Sequence, residues 1–248
     1  MVFYVSHFRD SRVLTARSIP SPSEGLPEGA LEGLAQALAL SLPCTDRVSV
    51  SVLGVLATGY PVSRQDLAAR LAQGRRRDGG VDPETFLNAA MERLPNLELD
   101  EDGRIVGCGL TLAPTDHQII FSGPPLFTWC AFDTVLFPAL LGRSAEVRSR
   151  CHATGVPIRC SIGVDGIEEL APAAAVITLV APDQEGAHCD GRGGFCRHAH
   201  FFASPAAAGR WRETHTGFVL PVAQAHVVAR RISALRARMG DGGNEGLA

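Results

Sequence analysis

One thiol and one carboxyl group stand three residues apart in a nearly unbroken apolar segment that runs from Leu126 to Gly142, LFTWCAFDTVLFPALLG. Cys130 and Asp133 are its only ionisable side chains. If the chain is helical from about Cys130 onward, both groups lie on one helix face and can reach a common point. Burial raises the pKa of both groups, so we expect them to share one proton unless a cation enters. The segment predicts either a site for a soft cation or a buried helix in which Asp133 caps a turn and Cys130 packs as a small hydrophobic residue.

A second stretch, Gly194 to Ser204, has the sequence GFCRHAHFFAS and carries metal-binding residue types at alternate positions: Cys196, His198 and His200. Its alternating aromatic and β-compatible residues predict a strand with these side chains on one face. Together with Cys189 or Asp190 they could form a zinc site. However, alternate residues on a flat strand are about 7 Å apart, whereas tetrahedral zinc ligands converge within about 2.0 to 2.3 Å of one atom. The spacing therefore disfavours zinc.

Together the two stretches resemble the organomercurial lyases, also called alkylmercury lyases. The resemblance rests on three blocks in matching order: TWCAFDTVLFPALLGR at 128–143, TGVPI at Thr154 to Ile158, and FCRHAHFFAS at Phe195 to Ser204. It covers most of the chain from about Gly59 to Arg231. Because three separate blocks of unusual composition agree, the similarity is specific.

The resemblance implies an enzyme that cleaves carbon–mercury bonds by protonation and so detoxifies organomercury, giving a hydrocarbon and Hg(II). Cys130 and Cys196 match the two catalytic thiols of the family, and Asp133 matches its proton carrier. In the implied sequence of events, Asp133 deprotonates Cys130, Cys130 attacks mercury, and Cys196 enters as the second thiolate. The carbon–mercury bond weakens and the proton returns to carbon. The same three residues would hold the Hg(II) product.

Other positions also match the family. Trp129 corresponds to an aromatic residue that walls the substrate pocket, although a Trp here could equally fill the core. Cys151 matches a family cysteine that we expect to be structural. Arg197 is a departure, because several family members have a second cysteine at this position, so no relay through that neighbour can operate here. Cys189 could offer a substitute thiol, but a free loop cysteine is the expected reading. We assign no role to the remaining cysteines, Cys44, Cys108 and Cys160.

The resemblance further implies no cofactor, a need for low-molecular-weight thiols in turnover, and mercuric reductase as the acceptor of Hg(II). Composition excludes other classes. All 23 basic residues are arginine, so a Schiff-base enzyme, a pyridoxal phosphate enzyme and a P-loop ATPase each lack their lysine. A net charge of -3 offers no basic excess to nucleic acid or to an anionic membrane surface.

Seven cysteines without CxxC spacing argue against a thioredoxin motif or a paired zinc ribbon. Free thiols persist best in a reducing cytoplasm, which is the compartment that we expect. No apolar run reaches the roughly 18 residues of a membrane span. A chain of 248 residues, 46% hydrophobic and 20% charged, predicts an ordinary soluble globular protein.

The elements that must position these residues indicate an α+β protein. Residues 1–26 end in a Pro/Ser/Gly-rich run and predict a flexible arm. Residues 27–106 predict a winged-helix-like domain of three helices and a hairpin, and 107–248 an antiparallel-sheet catalytic domain. The helices are predicted at Ala30 to Leu42, from Ser63 to about Ala72 and from Pro83 to about Leu94, with Ser49 to Leu56 a second short helix or a strand. Asp102-Gly103 marks the hairpin within Leu97 to Leu112.

Strands dominate the second domain, and they are predicted at Gly109 to Ala113, His117 to Phe121, Val147 to Cys151, Pro157 to Gly163, Ala175 to Ala181 and Phe195 to Phe202. Helices interrupt them at the Cys130 segment and, as an open alternative, at Ile167 to Leu170. A last helix is predicted from about Val222 to Met239. Consecutive strands without crossover helices favour an antiparallel sheet.

A metal-sensing repressor is the remaining alternative, because winged helices often bind DNA. The third predicted helix and the hairpin carry many carboxylates: Glu84, Glu92, Glu98, Asp100, Glu101 and Asp102. Phosphate contacts need Lys or Arg, and the helix offers only Arg93 beside its acids, so these surfaces would repel a duplex. We therefore expect a scaffold that covers one side of the catalytic domain and binds no nucleic acid.

Overall fold

The computed structural model describes residues 25–42, 47–74, 97–180 and 194–241. The described helices are α1 (Glu28–Ser41), α2 (Arg47–Leu56), α3 (Arg64–Gly74), α4 (Asp133–Leu141), α5 (Gly209–Thr214) and α6 (Val222–Asp241). The strands are β1 (Glu98–Leu99), β2 (Ile105–Cys108), β3 (Leu110–Thr111), β4 (Gln118–Ile120), β5 (Leu126–Thr128), β6 (Ala145–Arg150), β7 (Pro157–Ile162), β8 (Ile167–Ala171), β9 (Val176–Val180), β10 (Phe201–Phe202) and β11 (Gly217–Pro221). A 3₁₀ helix spans Phe195–His198.

The strands form two antiparallel sheets, which confirms the α+β class. The larger sheet has the order β1-β2-β3-β5-β4-β6-β7-β8, and the smaller one has the order β10-β9-β11. Along β6, buried Ala145, Val147 and Ser149 alternate with exposed residues, so one face of the larger sheet covers the core. The central strand β9 is buried over its whole length, as its alternation-free sequence VITLV requires.

The first and the last described helices pack against each other next to the segment that carries Asp133. Helix α6 contacts both α1 and α4. Its buried residues recur at helical spacing, as do those of α1, so each helix turns one apolar stripe to the core. The side chain of Gln224 accepts a hydrogen bond from the Leu26 N–H (2.8 Å) and donates one to the Leu26 carbonyl (2.9 Å). The start of α1 is therefore tied directly to α6.

Several predicted elements are confirmed. Helices α1, α3 and α6 lie where the periodicity placed them, and Ser49 to Leu56 forms part of α2. The Ser63 hydroxyl accepts a hydrogen bond from the Asp66 N–H (3.0 Å) and donates one to the Asp66 carboxylate (2.7 Å), which is the predicted cap of α3. The predicted hairpin is β1–β2, with Gly103 at φ 72° in its turn. The helix predicted at 83–94 lies outside the described residues, so the winged helix stays a prediction.

Three local predictions are wrong. Ile167 to Leu170 belongs to strand β8, which pairs with β7, and not to a helix. The stretch Phe195 to Phe202 is not one strand, because the 3₁₀ helix occupies its first half and only β10 remains extended. The helix of the apolar segment begins at Asp133, so Cys130 precedes it. Within the described ranges, no helix combines the length and the apolar character that crossing a bilayer requires.

Candidate active site

Cys130 lies in the short turn between β5 and α4. Its carbonyl accepts a hydrogen bond from the Thr128 hydroxyl (2.9 Å), and the next amide, that of Ala131, donates to the Ala199 carbonyl (3.1 Å). Asp133 is the first residue of α4, and its carboxylate accepts a hydrogen bond from the Cys130 N–H (3.2 Å). A carboxylate at a helix N-terminus is favourably placed, since unsatisfied amides point toward it. This turn therefore fixes the thiol and the carboxyl group together.

Cys196 reaches the same place from the 3₁₀ helix, which β9 holds in position. The hydroxyl of Thr178 donates to the His198 carbonyl (2.9 Å) and accepts from the His200 N–H (3.1 Å). Phe195 packs edge-on against Phe132, with ring centroids 5.9 Å apart. With these contacts the segment does not adopt the extended conformation that its alternating sequence predicted. It packs instead against the Cys130 turn.

The three residues singled out from the sequence meet in what we call the thiol–carboxyl cluster: Cys130, Asp133 and Cys196. Their two Sγ atoms and a carboxylate oxygen lie within 4.8 Å of one another, and the Cys196 thiol donates to the Asp133 carboxylate at 3.8 Å. Within the described part of the chain, no other three His, Cys, Asp or Glu side chains converge in this way. Two sulfur ligands and one oxygen ligand suit a soft metal ion.

Burial controls the protonation of the cluster. It raises the pKa of the Asp133 carboxyl to about 7, against hydrogen bonds from Cys130 and Cys196 that favour the charged form. Burial also raises the pKa of the Cys130 thiol to about 11, and the neighbouring Asp133 charge adds to this. The pKa of Cys196 is raised well above its ordinary value by its hydrogen bond with Cys130 and by burial. At neutral pH the site therefore holds neutral thiols beside a carboxyl group that can both accept and donate a proton.

Among the described residues, Cys196 is the member of the cluster that can be reached from solvent. Cys130 is completely buried and Asp133 is 4% exposed, whereas Cys196 is half-buried. Cys196 lies at a cleft with two lobes, of about 500 and about 660 Å³. Five residues line both lobes: Thr115, Asp116, Trp129, Cys196 and Arg197. A molecule that enters this cleft meets Cys196 before it meets the other two groups.

Trp129 lines the cleft. Its amide donates to the Gly109 carbonyl (3.0 Å), and its indole Nε1–H donates to the Glu98 carboxylate (3.2 Å). The same carboxylate also accepts a hydrogen bond from the Thr111 hydroxyl. Gly109 has φ 79°, and a Cβ there would lie 2.8 Å from the Phe137 ring, so this close backbone approach needs glycine. The wall of the cleft is thus held by β1 and by the turn after β2.

The smaller lobe also contains what we call the imidazole group: Cys151, His117, His152 and His200. His152 and His200 stack with their ring centroids 3.8 Å apart, and the His117 ring hydrogen-bonds the Ser149 hydroxyl at 2.8 Å. Burial lowers the pKa of both His117 and His200 to about 4. The imidazoles of His117 and His200 are therefore neutral at physiological pH.

The zinc site considered from the sequence is not formed among the described residues. It required Cys196, His198 and His200 on one strand face, but His200 turns to His152, and His198 lies 4.9 Å from His215 between ring centroids. Cys189 and Asp190, the other ligands considered, lie outside the described residues. Without the extended strand, the alternation of Cys and His has no common face.

The other described cysteines do not enter the cluster. Cys151 follows β6 and is buried in the smaller lobe. Cys108 and Cys160 are buried and line neither lobe, and Cys44 lies outside the described residues. Sequence reasoning missed Thr115, Asp116 and Arg150, which line the cleft from the loop before β4 and from the end of β6. Their only signal was their position at strand ends, where binding residues are common.

An antiparallel α+β scaffold with two thiols and a proton-sharing carboxyl group at a cleft defines an enzyme that handles a soft metal. The family model described as alkylmercury lyase, MerB, matches residues 110–234. The chain is 41% identical over 188 residues to an alkylmercury lyase of Pseudomonas putida, with 74% of this chain and 83% of that protein covered. It is 39% identical over 184 residues to one of Staphylococcus epidermidis, covering 74% and 80% of the two chains.

A third relative, an alkylmercury lyase of Streptomyces lividans, is 42% identical over 183 residues, or 73% of this chain and 80% of that one. Among solved structures, the mercury-bound form of MerB2 superposes with a TM-score of 0.64 over 84% of this chain and 100% of the other, at 24% identity, which shows a shared fold. The chain belongs to the alkylmercury lyase family. The resemblance drawn from its three sequence blocks is confirmed.

Proposed function

We propose that Cys130, Cys196 and Asp133 carry out the reaction of this organomercurial lyase, the protonolysis of a carbon–mercury bond. The observation that carries the proposal is the convergence of two thiols and one carboxyl group within 4.8 Å at the cleft. Mercury needs soft sulfur ligands, and the departing carbon needs a proton. The thiol–carboxyl cluster supplies both from three side chains.

The atoms balance without a cofactor, and we propose that none is used. The substrate enters as mercury bonded to carbon and to one outgoing thiolate. The two protein thiols form two mercury–sulfur bonds, while the carbon–mercury bond and the bond to the outgoing thiolate break. One of the two thiol protons leaves on the outgoing thiol, and the other reaches carbon. Asp133, with a pKa of about 7, takes this second proton from sulfur and passes it to carbon.

The accessibility of the two thiols bears on the order of events. The family resemblance implied that Cys130 attacks first, but Cys130 is completely buried and Cys196 lines the cleft. We propose that mercury first binds Cys196 and then moves inward to Cys130. The rise in sulfur ligation weakens the carbon–mercury bond only at the second step, when Asp133 is within reach of both the thiol and the leaving carbon.

After cleavage, Cys130 and Cys196 hold Hg(II), with Asp133 beside them. A mercury ion between two thiolates leaves by exchange with other thiolates, since no harder ligand competes for it. We therefore propose low-molecular-weight thiols as co-substrates, mercuric reductase as the final acceptor of Hg(II), and a reducing cytoplasm as the compartment.

We also propose that residues 27–106 form a winged-helix-like scaffold after an N-terminal arm of 1–26, ahead of a catalytic domain of 107–248. Three contacts support a scaffold role: α1 packs on α6, β1 and β2 extend the larger sheet, and Glu98 holds Trp129. The acidic surface of the hairpin disfavours a DNA-binding role.

The test is to incubate the purified protein with phenylmercury and excess thiol and to measure benzene by gas chromatography. We expect benzene and Hg(II) in equal amounts, with no benzene when protein is omitted. Protein that binds phenylmercury but releases no benzene would make the chain a mercury-binding protein and not a lyase.

A further inference from the structure

Two arginines line the smaller lobe of the cleft, one from each side. Arg150 ends β6, and Arg197 belongs to the 3₁₀ helix, directly after Cys196. Both are exposed, and neither forms an ion pair with another described residue. Among the described residues, Asp116 is the only one that lines this lobe with a carboxylate. The lining therefore carries an excess of positive charge.

His117 and His200 do not change this charge. Burial holds the pKa of His117 and of His200 at about 4, with the nearby Asp116 charge opposing the shift at His117. The positive charge of the lobe at neutral pH thus comes from the guanidinium groups. Arginine forms charge-assisted, bidentate hydrogen bonds with carboxylates, and these are stronger than hydrogen bonds between neutral groups.

The product must leave past these arginines. In the proposed function, Hg(II) is held by Cys130 and Cys196, and only Cys196 can be reached from the cleft. An incoming thiol must therefore bring its sulfur to Cys196 while the rest of the molecule lies in a lobe. A volume of about 500 Å³ is that of a small-molecule site.

We propose that this lobe binds low-molecular-weight thiols that carry a carboxylate, with Arg150 and Arg197 as the carboxylate site. The inference rests on the proposed function and adds the chemical class of the co-substrate. Two incoming thiols form two mercury–sulfur bonds, and the bonds from mercury to Cys130 and Cys196 break. The protons of the two incoming thiols pass to the two protein thiolates, so no oxidant or reductant is involved.

The experiment measures removal of Hg(II) from protein that has been loaded directly with stoichiometric Hg(II). Three thiols of similar size are compared at equal thiolate concentration: 3-mercaptopropionate (anionic), 2-mercaptoethanol (neutral) and cysteamine (cationic). The Hg(II) that stays on the protein after gel filtration gives the half-release concentration for each. We expect the wild type to release Hg(II) at the lowest concentration with the anionic thiol, and this advantage to shrink as ionic strength rises.

The double variant Arg150→Gln, Arg197→Gln should need about tenfold more 3-mercaptopropionate, the scale of lost charge-assisted hydrogen bonds at an exposed site. Its response to 2-mercaptoethanol should stay the same, and cysteamine should lose its disadvantage. Arg148→Gln is the matched control. It removes one positive charge, as the single variant Arg150→Gln does, from the same exposed face of β6, two residues away and outside the cleft, and should change nothing.

Equal half-release concentrations for the three thiols in the wild type would overturn the inference. So would an equal shift in Arg148→Gln, which would reflect the general field of the protein, or a uniform change for all three thiols in the double variant. Benzene release separates this outcome from failure of the proposed function. Wild-type protein that cleaves phenylmercury without a thiol charge preference keeps its lyase assignment and loses the carboxylate site.

Discussion

Two groups of side chains of metal-binding types lie at one cleft, and they differ in whether their candidate ligand atoms converge. The thiol–carboxyl cluster brings two sulfurs and an oxygen within 4.8 Å. The imidazole group has one thiol and three imidazoles, but they engage other partners: His152 stacks on His200, and His117 bonds Ser149. Residue types alone would rate the imidazole group the richer metal site. Convergence, which depends on the Cys130 turn and on the 3₁₀ helix, reverses that ranking.

The thiols of the two groups also differ in protonation. Burial raises the pKa of Cys130 to about 11. Burial acts in the same direction on Cys151, but hydrogen bonds from the Thr154 hydroxyl and from the amides of Ala203, Thr154 and Ala153 outweigh it, so the pKa of Cys151 is lowered. The Cys151 sulfur is thus fixed by hydrogen bonds from the surrounding chain. The Cys130 thiol lies beside a carboxyl group with which it can exchange its proton.

The largest expected effect is on turnover. Cys130→Ser and Cys196→Ser should each abolish benzene release, because oxygen is too hard a ligand for mercury and the replacement is nearly isosteric. Cys151→Ser is the matched control from the imidazole group and should keep turnover. Circular dichroism would verify that the folds are intact. Near-wild-type benzene release from either cluster variant would remove that thiol from the mechanism.

The second prediction concerns the acid of the cluster. Asp133→Asn keeps the shape of the side chain but cannot gain and lose the proton, so cleavage should slow about 100-fold or more. Capture of mercury should persist. Gel filtration would measure the intact organomercurial that stays on the protein, and hydrocarbon release would be followed over time in deuterated water.

Cleavage by Asp133→Asn at the wild-type rate would mean that solvent or another acid delivers the proton. Loss of capture together with cleavage would instead make Asp133 a mercury ligand or a support for Cys130. After either result, the thiol–carboxyl cluster would differ from the imidazole group only in the arrangement of its sulfur atoms and not in a proton-carrying acid.

The third prediction follows from the pKa of Asp133, which is about 7 in the folded protein and 3.8 for an ordinary Asp. Between these values the folded state binds more protons than the unfolded state, so this residue lowers the free energy of unfolding as pH rises. His117 and His200 have lowered pKa values, so they raise the free energy of unfolding as pH rises. They do so equally in the wild type and in Asp133→Asn. The difference between Asp133→Asn and wild type therefore isolates Asp133.

That difference in the free energy of unfolding should grow in favour of the variant from about pH 4 to about pH 7, by a few kcal/mol at most. Urea unfolding at a series of pH values would measure it. A difference that is flat with pH would show that the Asp133 carboxyl is not destabilised by burial in the folded protein.

The smallest expected effect is that of Cys151→Ala. Removing a buried sulfur that backbone amides satisfy should cost about 1 kcal/mol of stability, as is typical of a core point change. Carbon–mercury cleavage should stay near the wild-type rate. Thermal unfolding and benzene release would be measured on the same preparation. A variant that kept its melting temperature but lost activity would place Cys151 in the mechanism and remove the contrast between the two groups.

The residues of the cluster could be chosen from the sequence, but not their arrangement. The CxxD spacing brought Cys130 and Asp133 together correctly, although the turn before α4 and not a helix face does so. Cys196 was placed on a strand because its neighbours alternate. That prediction is wrong because the hydroxyl of Thr178, on a different strand, forms hydrogen bonds with the His198 carbonyl and the His200 N–H. Such tertiary hydrogen bonds leave no local trace in the sequence.

The regular elements with strong periodicity or capping signals, such as α1, α3 and α6, were predictable because their causes are local. The cleft was not. Thr115, Asp116 and Arg150 reach it because β4 and β6 are neighbours in the larger sheet, and this pairing joins residues about 30 positions apart.

The chain has two tryptophans, and the fold gives them opposite surroundings. Trp211 is 6% exposed and stacks on His215 with their ring planes 3° apart. Trp129 faces the cleft at which Cys196 lies. A heavy atom quenches the fluorescence of an indole that it approaches, so mercury held at Cys196, as proposed, would dim Trp129. Trp129 fluorescence would then report the arrival and the departure of mercury.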